Sequence, residues 1–247
     1  MRVIILAAGR GSRLMPLTSD KPKCMVELNG KALLEHQLDL FAKFNIIDIN
    51  VVTGYLEEKI DFDRIKKFYN LQFESSNMVA TLFRADELFD GEDDILISYG
   101  DIVYNHKVLK AIEESNEKVN VVVDKDWQSY WEARMDDPLQ DVETLKIGAN
   151  GFIEELGKKP NSYEDIQGQY IGLIKIRKDV VRKVKYYYHN LDRSATYDGQ
   201  TFDNMYMTSF LQMIADNIIS LSPVYIEGGW IEIDEPSDLE FGHFLQA

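Results

Sequence analysis

Val3-Ile4-Ile5-Leu6-Ala7-Ala8-Gly9-Arg10-Gly11-Ser12-Arg13, with Lys21-Pro22-Lys23 close behind, is the stretch on which the fold turns. Its apolar run is short, rich in β-branched residues and stopped by glycine, which predicts a fully buried strand that delivers a flexible loop at its C-terminal end. Open α/β sheets bind ligands at that end. Two glycines let backbone N–H groups approach an anion, and Arg13 and Lys23 supply the positive charge that a polyphosphate demands. The loop therefore suits a nucleoside triphosphate.

Two better-known phosphate loops do not fit. A dinucleotide fingerprint needs a third glycine and an immediate helix, but Leu14 stands at that place and Pro16 and Pro22 keep the segment extended. The Gly-Lys-Ser/Thr of a Walker loop is absent. What remains, Leu6-Ala7-Ala8-Gly9-x-Gly11-x-Arg13-Leu14-x-Pro16-Leu17-Thr18 and then Pro22-Lys23, resembles the N-terminal motif of the nucleoside-diphosphate-sugar pyrophosphorylase and cytidylyltransferase superfamily. The resemblance implies that Arg13 and Lys23 are catalytic, and that Leu6, Ala7, Ala8, Gly9, Gly11 and Ser12 cradle the nucleotide.

Composition agrees with a soluble α/β protein. The chain has 247 residues and 45% hydrophobic content, enough for a sizeable core, with no Pro/Gly/Ser-rich linker and no apolar run long enough to span a bilayer. The single cysteine, Cys24, fits a reducing compartment and so a cytoplasmic location. The net charge of −15 argues against nucleic acid or an anionic membrane as partner. Residues 1–25 run the other way, with Arg2, Arg10, Arg13, Lys21 and Lys23 against Asp20 alone. A basic loop on an acidic body favours one small anionic ligand. Partners are expected to be small molecules, with a homo-oligomer as a further candidate.

Along the chain, strands alternate with helices. Helices are expected over residues 32–44, 78–89, 106–115, 205–217 and 237–245. Strands are expected over 46–53, 94–98, 119–123, 169–176, 224–227 and 231–233, with a hairpin from 144–147 to 152–156. Repeated βα units imply a single doubly wound, mostly parallel sheet with helices on both faces, followed by a small antiparallel portion: a Rossmann-like α/β fold. We expect one domain over 1–247, residues 1–125 forming the nucleotide-binding part and 126–247 the acceptor-binding part.

A second constellation is Tyr99-Gly100-Asp101, a carboxylate at a buried strand's C-terminal tip with a glycine beside it to admit ligand. Trp230-Ile231-Glu232-Ile233-Asp234 alternates apolar and acidic residues, so Glu232 and Asp234 share a strand face. Asp101 and Asp234 are candidate Mg2+ ligands, since magnesium favours one or two carboxylates with water and substrate phosphates. The superfamily resemblance puts its cation-holding aspartates at these two places.

The resemblance covers nearly the whole chain. Gly30-Lys31-Ala32-Leu33-Leu34 is similar to the family's Gly-Lys-Pro-Leu-Ile, and Val52-Thr53-Gly54-Tyr55 to its second strand end, placing Gly54 and Tyr55 by the nucleotide along with Gly100. Ser75-Ser76-Asn77 resembles the turn that contacts the base in the phosphocholine cytidylyltransferase branch, whereas the base turn of glucose-1-phosphate thymidylyltransferases is missing. Lys158-Lys159-Pro160 is similar to the Glu-Lys-Pro of sugar enzymes with Lys158 replacing glutamate. The reading is CMP transfer from CTP to a small phosphorylated or phosphono acceptor: phosphocholine, 2-aminoethylphosphonate or an amino-acid phosphate such as glutamine phosphate. A sugar-1-phosphate nucleotidyltransferase and a non-catalytic nucleotide-binding module are the alternatives. Acceptor-binding candidates are Arg134, Lys159, Gln169, Tyr170, Asp203, Asn204 and Glu232, with Glu143 and Lys175 bordering the pocket. Trp127, Tyr130, Trp131, Tyr186-Tyr187-Tyr188, Tyr197, Phe202 and Tyr206 offer either an ammonium cage or core packing. Arg193, like Arg134, suits a carboxylate or phosphate. The stretch Arg134-Met135-Asp136-Asp137-Pro138-Leu139 has no assigned role.

Overall fold

In the computed structural model, which describes residues 1–246, the opening stretch forms strand β1 (Arg2–Ala7), an interior strand third from one edge of a nine-stranded sheet. The other strands are β2 (Ile49–Thr53), β3 (Lys66–Tyr69), β4 (Ile95–Tyr99), β5 (Val119–Asp124), β6 (Leu145–Ile147), β7 (Ile153–Leu156), β8 (Gln169–Ile176) and β9 (Leu221–Ile226). Their spatial order is β3-β2-β1-β4-β8-β5-β9-β7-β6. Strand β8 runs antiparallel between β4 and β5, and β7 antiparallel between β9 and β6, so the rest of the sheet is parallel in sense.

The period-2 alternation of β1 divides the protein into two cores. Val3, Ile5 and Ala7 pack with helices α1 (Leu33–Lys43), α3 (His106–Glu114) and α4 (Trp127–Arg134). Ile4 and Leu6 pack on the opposite face with α2 (Met78–Leu82), α5 (Lys178–His189) and α6 (Met207–Asn217). Both faces of β1 are thus apolar and covered, which is why its sequence shows an unbroken hydrophobic run.

Several expectations change. The helix foreseen over 78–89 is α-helical only to Leu82 and continues as a tighter 3₁₀ segment, broken at Ala85. The closing segment Pro236–Gln246 is a series of 3₁₀ turns. Strand β3 and helices α4 and α5 were not foreseen. In α5, Val180, Val181, Val184 and Tyr188 form one buried face, so its tyrosines belong to a helix and not to an ammonium cage. Tyr188 stacks on Phe83 at 3.7 Å, Tyr187 meets Phe210, and Tyr186 is 71% exposed. Lys175 also leaves the pocket: it is buried near the other end of β8, donating to the carbonyls of Glu113 and Ser115.

Candidate active site

The site lies beyond the C-terminal ends of β1 and β4. Gly11 has φ of 71°, and a Cβ on it would fall 2.9 Å from Lys23 Cβ, so glycine lets the loop fold back onto the lysine. Thr18 Oγ1 donates to the Gly11 carbonyl at 2.9 Å and secures that return. Gly100 allows another close approach, because a Cβ there would meet the Leu6 carbonyl oxygen at 2.7 Å. Asp101 follows directly.

Asp101 and Asp234 meet because Ile102–Tyr104 pairs antiparallel with Trp230–Glu232, a ribbon extended by the Ile233 N–H donating to the Asp101 carbonyl at 3.0 Å. Lys23 Nζ lies between the two carboxylates, 2.7 Å from Asp101 Oδ2 and 2.7 Å from Asp234 Oδ1. Arg13 pairs with the other oxygen of Asp234. Burial opposes charge on Lys23, but Asp101, Glu232 and Asp234 outweigh it and raise its pKa. The Glu232 carboxyl is raised by burial and by the Asp101 charge, against the pull of Lys23 and Arg134.

This charge cluster divides two cavities. The first is lined by Leu6, Ala7, Ala8, Gly9, Lys23, Ser76, Asn77, Thr81, Gly100 and Asp101. It gathers much of the predicted nucleotide set: Leu6, Ala7, Ala8, Gly9, Ser76, Asn77 and Gly100. Of the remaining members, all but Ser75 belong to the loop or support it from outside. Tyr55 donates its N–H to the Ala8 carbonyl at 3.1 Å, lies under the Arg10 guanidinium and reaches the carbonyls of Thr18 and Ser19. Gly54 packs on the Ala8 carbonyl, Ser12 opens the turn that carries Arg13, and Ser75 is exposed before α2 without lining the cavity.

The second cavity is lined by Arg13, Asn77, Tyr99, Trp131, Asp141, Glu143, Gln169, Tyr170, Gly172, Tyr206, Thr208, Trp230, Glu232 and Asp234. Of the acceptor candidates, Gln169, Tyr170 and Glu232 line this cavity; four others do not. Arg134 is turned away and bound to Asp238, because its helix presents Trp131 to the cavity instead. Lys159 is exposed outside the cavity, and neighbouring Lys158 pairs with Glu155. Asp203 and Asn204 form a turn behind residues 75–77, their carbonyls receiving the Asn77 backbone N–H and side-chain amide. Arg193 lies over Phe202, away from the cavity.

Sequence reasoning missed Asp141 and Thr208. The unexplained 134–139 stretch delivers the first of these. It ends α4 and enters a turn in which Asp137 caps Leu139, and the chain returns with Asp141 accepting from Trp131 Nε1 at 3.0 Å. Burial and the Asp141 charge push the Glu143 carboxyl up to about 7. Gln37 was also missed. Its amide donates to the carbonyls of Tyr99 and Ile102, both at 2.7 Å, and so fixes the turn that carries Asp101. A buried glutamine in an otherwise apolar helical face was the available signal.

Comparison with known proteins places this geometry in context. Residues 2–190 match the Nucleotidyl transferase family. The chain is 43% identical to the CTP:phosphoglutamine cytidylyltransferase of Campylobacter jejuni subsp. jejuni serotype O:2, over 97% of this chain and 98% of that protein. A choline-phosphate cytidylyltransferase of Streptococcus pneumoniae is 35% identical over 40% of this chain and 42% of its own. Among solved structures, the CTP:phosphocholine cytidylyltransferase from Streptococcus pneumoniae superposes with a TM-score of 0.70 at 20% identity, covering 100% of this chain and 99% of that one. A putative glucose-1-phosphate thymidylyltransferase from Bacillus anthracis reaches 0.75 at 19%, covering 99% and 94%. These two structural likenesses speak to the fold.

Proposed function

This chain belongs to the nucleotidyl transferase family, and on that premise we propose that it transfers CMP from CTP to an amino-acid phosphate, glutamine phosphate, releasing pyrophosphate. The observation that carries the reading is the meeting of Arg13, Lys23, Asp101 and Asp234 at the junction of two cavities, one suited to a nucleotide and the other to a small acceptor. The near-full-length similarity to a phosphoglutamine cytidylyltransferase supports the choice of substrates. The acceptor cavity supports it chemically. Asp141, Glu143 and Glu232 outnumber its single cation, Arg13, and Trp131, Tyr170, Tyr206 and Trp230 wall it, an environment that favours an acceptor bearing an ammonium group.

An oxygen of the acceptor phosphate attacks the α-phosphorus of CTP in line as the bond to the bridging oxygen breaks. The attacking phosphate is already an anion, so no side-chain base is needed. Negative charge grows on the bridging oxygen and pyrophosphate, and Arg13 and Lys23 stand where they can meet it. Asp101 and Asp234 fit a magnesium ion: both carboxylates face the same junction, and Asp101 Oδ1 is buried without a hydrogen-bond partner. When bound there, the ion would neutralise phosphate charge. A cytoplasmic site of action, beside the CTP pool, and a CDP-linked product consumed in decorating surface polysaccharide or lipid complete the reading.

The test is pyrophosphate release with Mg2+, each of the four NTPs, and phosphocholine, 2-aminoethylphosphonate, glutamine phosphate or glucose 1-phosphate. Release with CTP and glutamine phosphate is the expected result. Turnover of the sugar phosphate, or of UTP or dTTP in place of CTP, would refute it.

A further inference from the structure

Arg134 has the fork geometry of an anion-binding residue, yet the structure buries it behind the site, with a side chain 6% exposed. Its Nε and Nη2 donate to the two oxygens of Asp238 at 2.9 and 3.3 Å, and Asp238 is 4% exposed. Asp238 Oδ2 in turn accepts the backbone N–H groups of Asp234 and Glu235, each at 2.7 Å. A side chain reaching back to the N–H groups three and four residues earlier is an ordinary way to open a helical segment. Such caps are usually solvated. This one is buried, and its charge is balanced by an arginine from another element.

That element also forms part of the acceptor cavity. Trp131, one turn before Arg134 on α4, lines it, and the Arg134 guanidinium lies over the rings of Tyr130 and Trp131 at 5.1 and 5.5 Å. Tyr130 grips the same segment as Asp238. Its hydroxyl accepts the Glu232 N–H at 3.0 Å and donates to the Glu232 carbonyl at 3.1 Å. Helix α4 therefore holds the backbone on both sides of Asp234.

We propose that the buried Arg134–Asp238 pair, with Tyr130, is a positioning device that fixes Asp234 for cation binding and ties its place to the acceptor wall. The proposal rests on the reading that Asp234 holds the divalent ion. Arg134 touches no reactant; it acts through Asp238 on the Asp234 backbone. Outer partners of metal-ligating groups commonly matter in this way.

The test compares wild type with Arg134→Met, Arg134→Lys and Asp238→Asn. Mn2+ affinity in the presence of CTP is read from the paramagnetic resonance of the free ion, alongside kcat, acceptor KM and urea melts. Arg134→Met should weaken Mn2+ binding by roughly 10- to 100-fold, the usual scale for losing such a partner, and lower kcat while acceptor KM stays at the wild-type value. Arg134→Lys keeps charge without the fork and should fall between. A raised acceptor KM with unchanged Mn2+ affinity would overturn the proposal by placing the effect of Arg134 on the acceptor wall, through Glu232 Oε2, 3.8 Å from its Nη1. Lost stability with unchanged Mn2+ affinity and kcat would overturn it too, leaving a purely structural pair. If Arg134→Met does not fold, Tyr130→Phe removes only the hydroxyl clamp and should still weaken Mn2+ binding; wild-type affinity there refutes the device. Wild-type protein that binds CTP but not Mn2+ would refute the metal assignment itself, separately from turnover.

Discussion

Replacing Lys23 by methionine keeps the aliphatic stem that packs under Gly11 and removes only the ammonium. That ammonium makes two 2.7 Å ion pairs and is 15% exposed, with its partners at 12% and 13%, so solvent screens the cluster poorly. Breaking a buried pair from one side leaves uncompensated charge and costs about 3–5 kcal/mol. Here Asp101, Asp234 and half-buried Glu232 would face one another with only Arg13 and Arg134 nearby. Activity should fall further, because under the proposed mechanism the same group meets charge that develops in the transition state; losing one preorganised donor lowers kcat by roughly 100- to 1,000-fold. Urea melts and pyrophosphate release measure the two effects. Adding Asp101→Asn to Lys23→Met should recover stability, because it removes one of the repelling charges, while activity stays low. Additive stability losses in that double-mutant cycle, or a Lys23→Met rate near wild type, would refute the electrostatic argument.

Other outcomes follow from the same geometry. Glu143 has a folded pKa raised to about 7, so its favourable contribution to stability is present at low pH and lost as pH rises through that value; Glu143→Gln should flatten the decline in urea midpoint between about pH 5 and 7.5. Gly11→Ala forces a side chain onto a φ of 71° and into Lys23; the conformation alone costs roughly 1–2 kcal/mol, and a kinetic assay should show kcat falling with the displaced lysine. Lys159→Ala, outside both cavities, should leave acceptor KM unchanged. Tyr188→Ala should cost about 3–5 kcal/mol through its lost stacking and packing, visible in urea melts, without changing acceptor KM.

The legible parts of the chain were those whose signal is local. Strand β1, helices α1 and α3, the 145–156 hairpin and β8 could be read from periodicity and turn residues. Helix α5 was missed because three consecutive tyrosines suggest ligand-binding material, and only the fold shows one buried, one partly covered and one exposed. Arg134 was read by residue type as an anion binder, and Lys159 by its resemblance to the Glu-Lys-Pro of sugar enzymes. Residue type does not reveal which way a helix turns its side chains, and α4 turns Trp131 to the cavity and Arg134 to Asp238.

What the sequence determined by itself is β1 and the basic glycine loop that follows it. Strand, glycines and cations there are contiguous, and their chemistry is written in the order of the residues. The meeting of Asp101 with Asp234 was a matter for tertiary structure, since it depends on the pairing of Ile102–Tyr104 with Trp230–Glu232 across most of the chain. The tertiary structure also decided the wall of the second cavity. Trp131, Asp141, Gln169, Tyr206 and Glu232 come from separate elements, and no local pattern specifies their convergence because packing of both cores against one sheet brings them together.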